Sequence, residues 1–382
     1  MRLAALVLRA GAVVAAAAFV FSLLVDGAPA PVAAEARTVA TQPAAKAKAR
    51  AASKAQKPAR SAAADSVITI AAVGDIVMGS TPNLPPDGGR AFFDGVAADL
   101  SGDVVLGNLE GTLSTGGSSK CGSGSTNCFA FQTPPSYAKW LKGAGFTVMN
   151  LANNHAFDFG ASGQAQTLTA LRKHGLATTG RPGEIAFQQV GDVKVAIVGF
   201  APYPWAQRLT DIQAARKLVR KAATEADVVI ATMHAGAEGT AYTHTRRGTE
   251  TYLGENRGNA VAFAHAVVEA GADLVVGHGP HVLRGMEWYR GRLIAYSLGN
   301  FAGYRVFALG GPLSTSGILR VSLRGDGTYE SGLLVPTRLA GVGTPALDPA
   351  EAAHGIVRQL SRADFGARGA RIAATGAIGR ST

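Results

Sequence analysis

The chain has 382 residues, of which 47% are hydrophobic, and its 37 Lys and Arg against 26 Asp and Glu give it a net charge of +11. This length suits one medium-sized domain between two terminal stretches that lack core-forming patterning. The positive charge does not form a basic stripe interleaved with aromatic residues, so we expect no nucleic acid partner. A nucleophile elbow and a Walker phosphate loop are absent from the sequence, which excludes the enzyme classes built on them.

The N-terminal part of the chain predicts export and tethering. Residues 1–36 combine basic residues, an apolar run over 10–25 and then small residues, the arrangement of a secretory signal peptide. The run is shorter than the ~20 residues of a membrane span, which favours cleavage over the alternative of an uncleaved anchor. Residues 37–66, rich in Ala, Lys, Arg and Gln, predict a disordered linker that contacts anionic lipid or wall polymer, or serves solubility alone. We therefore expect an extracytoplasmic protein, secreted or membrane-anchored through its N-terminus.

Apolar runs and helical stretches alternate along the central part of the chain. Continuous apolar runs are typical of strands covered on both faces. Their alternation with helices predicts stacked layers, with parallel strands joined by right-handed crossovers. In chain order we predict strands at 67–73 and 103–106, a helix at 135–143, a strand at 146–151, helices at 163–174 and 212–226, a strand at 227–233, a helix at 259–270 and a strand at 272–276.

The last predicted strands, two of them joined by a glycine-rich hairpin signal, turn antiparallel. They are predicted at 293–297, 318–323 and 329–336. Beyond residue 341 the periodicity is weak, apart from a short helix at 349–360. We therefore assign the domain to residues 67–340 and treat residues 341–382 as a C-terminal extension.

The two cysteines, Cys121 and Cys128, lie within a Gly/Ser-rich stretch. In an exported protein such a pair is typical of a disulfide, which here would stiffen a surface loop close to Glu110. The alternative, a two-cysteine metal site, would need partner ligands that this loop lacks. We therefore predict a disulfide.

Polar side chains recur where the predicted strands end. Asp75 and Glu110 each follow a glycine-containing turn, and their carboxylates are hard oxygen ligands. A capping role would explain either residue taken alone. Because an unpaired charge in an apolar setting is costly, the recurrence of such residues at strand ends indicates one shared, metal-centred site.

The string Asn153-Asn154-His155, followed by Asp158, places amide and imidazole groups on a tight turn after a strand. The amide oxygen of Asn154 can bind a metal, and His155 can act as a general acid held by Asp158. A lone histidine at a turn is usually a solvated side chain. The closely spaced polar string favours a functional role here.

Histidines after two further strands extend the set of candidate ligands. His234 precedes Glu238 by four residues, and His278 precedes His281 by three. Imidazole mixed with carboxylate favours manganese, zinc or iron over calcium, with one or two ions bound. His281 is a candidate for either a metal ligand or a substrate contact.

Further polar residues are candidate substrate contacts. Ser297 and Asn300 could orient a ligand histidine or touch the substrate, although a turn that satisfies its own backbone explains them nearly as well. Arg284 is one of several arginines near the histidine motifs that could attract an anionic substrate, and ordinary solvated arginines are the alternative. Asn108 and Glu238 complete this set.

The order of these motifs is similar to that of a known family. From Ile68 to Ala340 the chain resembles the CapA-type capsule-synthesis proteins of bacteria, which are linked to poly-γ-glutamate and built on a calcineurin-like metallophosphoesterase fold. The motifs that carry the resemblance are Val73-Gly-Asp75, Gly107-Asn-Leu-Glu110, Ala152-Asn-Asn-His-Ala-Phe-Asp158, His234-x-Gly-x-Glu238, Ala270-Gly-Ala-Asp-Leu-Val-Val-Gly-His278-x-Pro-His281, and Gly291-Arg-Leu-Ile-Ala-Tyr-Ser-Leu-Gly-Asn300.

The resemblance implies an α/β fold with four layers, α-β-β-α, and metal ligands on loops at one edge of a double sheet. It implies His155 as the group that protonates the leaving group. Compared with the wider phosphoesterase pattern, Val77 stands in place of a histidine, and Asn108 with Glu110 stands in place of an aspartate. One metal position has therefore lost or changed a ligand. The implied metal ligands are Asp75, Glu110, Asn154, His234, His278 and His281.

Two functions are consistent with these residues and this resemblance. The first is a metal-dependent hydrolase or transferase that acts on a phosphoester or amide of an anionic envelope polymer of the poly-γ-glutamate type. The alternative is a non-catalytic polymer-binding or export factor that uses the same cleft, because a fold alone does not fix function. A capsule role would also imply a membrane-bound polymer synthase as a partner.

Overall fold

The computed structural model describes residues 65–122 and 128–380. These residues fall within the compact unit Gln56–Thr382. The predicted signal peptide lies outside the described residues, as does the predicted linker apart from its last two residues. No helix in the described part of the chain is long and apolar enough to cross a membrane.

Strands and helices alternate through the described residues much as the sequence predicts. The strands are β1 (Val67–Val77), β2 (Val104–Leu109), β3 (Thr112–Leu113), β4 (Gln132–Thr133), β5 (Val148–Asn150), β6 (Ala177–Thr179), β7 (Ala186–Val190), β8 (Val193–Phe200), β9 (Val228–His234), β10 (Thr251–Tyr252), β11 (Glu255–Asn256), β12 (Leu274–His278), β13 (Met286–Tyr289), β14 (Arg292–Ala295), β15 (Asn300–Gly303), β16 (Thr315–Arg324), β17 (Tyr329–Ala340), β18 (Thr344–Leu347), β19 (Arg371–Ile372) and β20 (Ile378–Gly379). The α-helices are α1 (Ala138–Gly143), α2 (Gly160–Lys173), α3 (Ile212–Glu225), α4 (Ala260–Ala270) and α5 (Ala352–Phe365).

The first sheet is arranged around β1, in the order β18-β17-β16-β1-β2-β5-β6. Strands β2, β5 and β6 follow β1 in parallel, whereas β16, β17 and β18 on its other side are antiparallel. The antiparallel β16 pairs with residues 67–72 of β1, and the parallel β15 pairs with β1 from Asp75 onward. As a result Asp75 lies between Asn108 of β2 and Asn300 of β15.

The second sheet has the order β13-β14-β12-β9-β8-β7. Its four central strands run parallel, and the strands at its two edges are antiparallel. Strands β9 and β12 end at His234 and His278, which are paired in register. Strands β7, β8 and β13 are not among the strands predicted above, although β8 lies inside the sheet and is buried along most of its length.

Helices α1 to α4 cover the outer faces of the two sheets. Helices α1 and α2 pack on the first sheet, where Leu141 and Leu171 join its outer core. Helices α3 and α4 pack on the second sheet through Val219 and Phe263. Side-chain caps begin α3 and α4, because Asp211 and Asn259 accept hydrogen bonds from backbone N–H groups three residues further on.

A third core lies between the two sheets and joins them. Its strand residues include Ile70 and Leu106 from the first sheet and Ile230 and Val276 from the second. Full burial of an aliphatic side chain of this size contributes about 1.5–3 kcal/mol. The predicted order of layers, helix, sheet, sheet and helix, is therefore confirmed.

The residues beyond 340, set apart above as an extension, pack against the core between the sheets. Strand β18 pairs with β17, and Ala353 and Val357 of α5 are fully buried in that core. Ile372 of β19 and Ile378 of β20 join them. The predicted helix at 349–360 forms as α5, which begins at Ala352 and continues to Phe365. These residues belong to the same compact unit as the sheets.

Candidate metal centre

The carboxyl ends of the two sheets bring the candidate ligands together. Ligand atoms of Asp75, Glu110 and His234 all lie within 4.8 Å of one another, and all three residues are buried. The Nδ1 atom of His278 lies 3.7 Å from Oδ1 of Asp75. Two ligands therefore come from the first sheet and two from the second.

Asp75 is fixed by a close approach of the backbone. The Asp75 N–H donates to the Gly299 carbonyl at 2.9 Å. A Cβ at Gly74 would overlap that same carbonyl oxygen, so only glycine lets β1 approach the turn before β15. The sequence Gly74-Asp75 thus encodes both the close approach and the ligand.

His281 lies beside the carboxylates in a left-handed conformation, with φ of 60°. For a residue with a Cβ this conformation costs about 1–2 kcal/mol, so neighbouring contacts must maintain it. The Nδ1 atom lies 2.8 Å from Oδ1 of Asn300 and 3.1 Å from Oδ2 of Asp75. The Nε2 atom lies 3.7 Å from Glu238 and 4.0 Å from Glu110.

Several buried polar atoms in this region make no hydrogen bond with the described residues. Such atoms are costly in a protein interior, and a bound cation would supply the missing partner. Carboxylate oxygens with imidazole nitrogens are the donor set of manganese, zinc and iron sites. The residues present therefore fit a divalent cation. The atoms are Glu110 Oε2, Asn154 Oδ1, His234 Nδ1, and both ring nitrogens of His278.

Burial and charge divide the site histidines into two kinds. Burial, reinforced by the positive charge of Arg257, holds the pKa of His234 well below its usual range. Burial also lowers the pKa of His278 to about 4. The neutral imidazole is the form that binds metals. Burial opposes protonation of His281 as well, but the charges of Glu110, Glu238 and Asp75 raise its pKa to about 10.

The carboxylates respond in opposite directions to the same surroundings. Burial and then the negative charge of Asp75 raise the pKa of Glu110 well above its usual range. Burial would also raise the pKa of Asp75, but the hydrogen bond and charge of His281 lower it overall. The charges of these carboxylates thus favour the protonated form of His281, and a protonated imidazole has no lone pair for a metal. A cation bound to the same carboxylates would favour the neutral form, in which His281 stays a candidate ligand.

Asn108 occupies the middle of the site and is not placed to touch a substrate. Its amide nitrogen donates to Oδ1 of Asp75 at 2.8 Å and to Oε1 of Glu110 at 3.2 Å. Its amide oxygen accepts from Asn150 at 2.8 Å and from Asn153 at 3.1 Å. Because both ends of the amide are enclosed, Asn108 orients the two carboxylates.

His155 and Asp158 form a second constellation next to the ligands. The Nδ1 atom of His155 lies 2.8 Å from Oδ2 of Asp158, which also accepts from the Phe131 N–H at 2.7 Å. Nζ of Lys120 lies 2.6 Å from Oδ1 of Asp158. Burial lowers the pKa of His155, although the hydrogen bond to Asp158 opposes this shift.

Arg257 belongs to the site, although the sequence marks it only as one of several arginines near the histidine motifs. Its guanidinium is 1% exposed and lies 2.7 Å from Oε1 of Glu238. Its Nη2 lies 3.2 Å from Nε2 of His234. Arg257 thus joins a ligand histidine to Glu238, and no spacing in the sequence identifies this contact.

Three of the predicted substrate contacts bond to other groups of the protein, and Asn300 does so in its alternative predicted role of orienting a histidine. Arg284 is fully buried, and Glu250 accepts from both of its terminal nitrogens at 2.8 Å, so it does not face a cleft. Ser297 is buried and accepts from the Gly299 N–H at 3.3 Å. Asn300 holds Nδ1 of His281 and donates to the Leu313 carbonyl. These residues position the turns that carry the ligands.

A cavity of about 170 Å³ opens beside His155. The disulfide-bonded Cys121 and Cys128 close the loop on one side of it, and the hairpin of β10 and β11 lies on the other. Glu238, at 18% side-chain exposure, connects the cavity to His281 and Arg257. The residues that line the cavity are Lys120, Cys128, Phe129, Asn154, His155, Glu238, Tyr252, Leu253 and Glu255.

Solved structures similar to the chain have low sequence identity to it. A hypothetical protein from Thermus thermophilus aligns with a TM-score of 0.42 and 16% identity, over 70% of this chain and 98% of that one. The NAD nucleotidase of Haemophilus influenzae aligns with a TM-score of 0.38 and 13% identity, over 78% of this chain and 56% of that one.

Curated relatives match more closely in sequence. The PGA biosynthesis protein CapA of Bacillus subtilis (strain 168) is 31% identical over 270 residues, which cover 65% of this chain and 67% of the relative. The capsule biosynthesis protein CapA of Bacillus anthracis is 34% identical over 212 residues, 50% of this chain and 47% of the relative. The chain thus spans between about half and two thirds of the length of these relatives.

A family model described as bacterial capsule synthesis protein PGA_cap matches residues 69–304. These residues contain every candidate metal ligand and the His155–Asp158 pair. The resemblance stated from the motifs is therefore confirmed. The chain belongs to the bacterial capsule synthesis protein PGA_cap family.

Proposed function

We propose that this protein is an exported, metal-dependent hydrolase or transferase that acts on a phosphoester or amide in the biosynthesis of an anionic capsule polymer of the poly-γ-glutamate type. The relatives give the biological setting, because their names describe PGA and capsule biosynthesis. One observation carries the chemistry: the unpartnered, buried carboxylate and imidazole atoms lie next to the paired His155 and Asp158.

Four side chains would hold the cation. Asp75 and Glu110 provide carboxylate oxygens, while His234 and His278 provide neutral ring nitrogens. Asn108 donates to both carboxylates and so fixes the directions of their remaining lone pairs. Lewis-acid polarisation of the substrate's phosphoryl or carbonyl oxygen is the chemistry that a cation would supply there.

His155 is the candidate for proton transfer. Its Nδ1 is committed to Asp158, so Nε2 is the ring atom that remains for the substrate. The ring centroid of Phe131 lies 4.4 Å from that of the imidazole and limits its rotation. His155 also lines the cavity beside Glu238, which is where a substrate would reach both groups.

Metal content and turnover test the proposal with two separate variants. Elemental analysis of wild type should give near-stoichiometric manganese, zinc or iron, and Asp75→Ala combined with His278→Ala should lose it. His155→Ala should keep the metal and lose turnover in a screen of phosphodiester and amide substrates. His174→Ala, at the end of α2, is the matched control. Wild type that stays metal-free after manganese and zinc loading would contradict the proposal, as would full turnover by His155→Ala.

A non-catalytic polymer-binding or export role is the second candidate. It is favoured by the protein groups that already surround the buried carboxylates, since Asn108 donates to Asp75 and Glu110 and the imidazole of His281 lies 3.1 Å from Asp75. This role predicts binding of poly-γ-glutamate without turnover under any metal loading. It also predicts that Lys120→Met, at the cavity, weakens that binding.

The setting that we propose outside the cytoplasm rests on the N-terminal sequence pattern. The proposed partners are the anionic envelope polymer and a membrane-bound polymer synthase. Copurification of the full chain with membranes of the producing cell, compared with a chain that begins at Asp65, tests the location at the membrane that a synthase partner requires. Equal recovery of the two forms with membranes would count against a role for the N-terminal segment.

A further inference from the structure

A groove near the C-terminus lies outside the stretch that the family model matches. It measures about 960 Å³ and runs between one face of α5 and the segment that follows it. The family match ends at residue 304, whereas this groove is lined by residues from 355 to 371. None of its lining residues is part of the metal centre.

Three arginines line this groove: Arg358, Arg362 and Arg371. No Asp or Glu lines it. Arg358 donates through Nε to the Ile372 carbonyl, which fixes its direction. Arg362 and Arg371 form no ion pair with any described residue. Three guanidinium groups with no carboxylate among them favour an anionic ligand.

The acidic residues nearest to the groove in sequence are Glu351 and Asp364, and Glu351 lies 3.6 Å from Nδ1 of His354. Asp364 accepts from His244 at 2.6 Å and from the Thr245 N–H at 2.8 Å. Glu287, which contacts the segment after α5, lies 2.8 Å from Arg368. The positive charge inside the groove is therefore not balanced by these carboxylates.

The floor of the groove suits an extended chain. Six of its ten lining residues are Gly or Ala, so a ligand can lie close to the backbone without meeting large side chains. Arg358 and Arg362 are four residues apart on α5, which places their side chains about 6 Å apart on one helix face. Gln359 also lines a second cavity of about 220 Å³ that reaches Leu283, two residues after His281.

We propose that this groove binds a segment of a polycarboxylate chain, with successive carboxylates paired to Arg358, Arg362 and Arg371, independently of the metal centre. The groove itself specifies a multivalent, extended anion, and the choice of carboxylate over phosphate rests on the proposed function. In this arrangement the groove holds the polymer while the metal centre acts on a separate part of the same or another chain.

Fluorescence anisotropy with labelled poly-γ-glutamate of defined length tests the inference in the full chain. Arg358→Gln, Arg362→Gln and Arg371→Gln combined should weaken binding about tenfold, because three partly screened ion pairs are lost. Arg90→Gln, Arg208→Gln and Arg220→Gln combined remove the same charge from exposed positions elsewhere and should leave binding nearly unchanged. An equal loss in both triple variants would overturn the proposal.

A second variant guards against misfolding. Arg362→Gln with Arg371→Gln leaves the bond from Arg358 to Ile372 intact and should still weaken binding severalfold. Polyphosphate and free glutamate are the competing probes. Free glutamate should compete poorly, because it offers no repeated carboxylates, and polyphosphate that binds through the same arginines more tightly than poly-γ-glutamate would overturn the choice of ligand.

Metal-site variants and groove variants distinguish a groove that binds no polymer from a metal centre that has no activity. Asp75→Ala with His278→Ala should lose the metal yet retain polymer binding. The groove variants should retain metal content and turnover of a small phosphodiester. Loss of polymer binding in the metal-site variant with no loss in the groove variants would place the polymer at the metal centre and refute the groove.

Discussion

Asp158 shows at the scale of single residues how a buried carboxylate controls the histidine beside it. The two flanks of the disulfide-closed loop both reach it: Nζ of Lys120 lies 2.6 Å from one oxygen, and the Phe131 N–H donates to the other at 2.7 Å. The backbone N–H of Lys120 also donates to the Asp158 carbonyl at 2.7 Å. Lys120 and Phe131 therefore hold Asp158 in place, and Asp158 in turn orients His155.

We expect Lys120→Met to lower turnover by about tenfold to hundredfold, the usual cost of removing a group that orients a functional residue. Methionine keeps the length of the side chain but leaves one oxygen of Asp158 buried without its cation. The measurement is turnover together with metal content, which should stay the same as in wild type. Unchanged turnover would show that Lys120 has no role in holding the pair.

Lys142→Met is the matched control, because Lys142 is an exposed lysine in the last turn of α1. It should leave turnover unchanged. Reduction of the disulfide in wild type should also lower turnover, because Cys121 and Cys128 are then no longer covalently joined.

The sequence could reveal those site residues whose position follows from strand ends. Asp75, His234 and His278 are of this kind, because each is the polar residue at the end of a buried apolar run. It could not reveal Arg257, whose partners His234 and Glu238 lie about 20 residues away along the chain. Arg284 was predicted as a substrate contact because sequence alone does not show that Glu250 folds back to pair with it.

At the scale of elements, the end of β1 depends on glycine. A Cβ at Gly74 would overlap the Gly299 carbonyl, whereas a Cβ at Gly143, in α1, meets no atom within 4 Å. We expect Gly74→Ala to lower the free energy of unfolding by about 1–3 kcal/mol. Gly143→Ala should raise the free energy of unfolding by about 0.5–1 kcal/mol, because alanine is the better helix former. Chemical denaturation of both variants is the measurement. A Gly74→Ala protein as stable as wild type would contradict the close approach.

Glu287 of β13 links three elements through its buried carboxylate. His265 of α4 lies 2.9 Å away, the Tyr296 hydroxyl donates at 2.8 Å, and Arg368 lies 2.8 Å from the other oxygen. Burial would raise the pKa of Glu287, but these hydrogen bonds and charges lower it overall. The folded state therefore favours the ionised form.

A depressed folded-state pKa contributes stability above the unfolded-state value, and this contribution disappears as the pH falls through the folded-state pKa. We expect Glu287→Gln to be less stable than wild type near pH 7, with a difference that shrinks progressively below about pH 4. Urea denaturation across this pH range is the measurement. Glu330→Gln, at a partly exposed pair with Arg324, should show little difference at any pH.

The order of strands and helices could be predicted, but not the division of strands between two sheets. Alternation of apolar runs with helices is the same whether β9 and β12 join the first sheet or form a second. Strand β8 was missed because it ends at Phe200 and is followed by Ala201, so no polar residue marks its end, although its buried apolar run resembles the others. The only sequence signal of such a central strand is its buried apolar run.

At the scale of the whole molecule, the candidate metal centre connects the two sheets. Asp75 and Glu110 come from the first sheet, and His234 and His278 come from the second. A cation that binds only the folded state adds about 2.7 kcal/mol at one hundred times its dissociation constant, which for a domain of this size corresponds to a rise in Tm of about 4 °C.

We therefore expect manganese or zinc to raise the Tm of wild type, and a chelator to reverse the rise, in differential scanning calorimetry. Asp75→Ala with His278→Ala should show no such response, although its own Tm is measured alongside without added metal. A rise of the same size in the double variant would mean that the ions bind elsewhere on the protein.

Strand β1 pairs with β16 over its first half and with β15 over its second half. This pairing limits how far the chain can be shortened. The family match ends at residue 304, but residues 67–72 of β1 pair with β16, which begins at Thr315. A chain shortened to the matched region would leave that half of β1 as a bare sheet edge, free to recruit the edge of another copy and seed aggregates. It would also open the space between the sheets to water, because α5 and β19 supply part of that core. The limit of sequence similarity is thus not a place where the molecule can be cut.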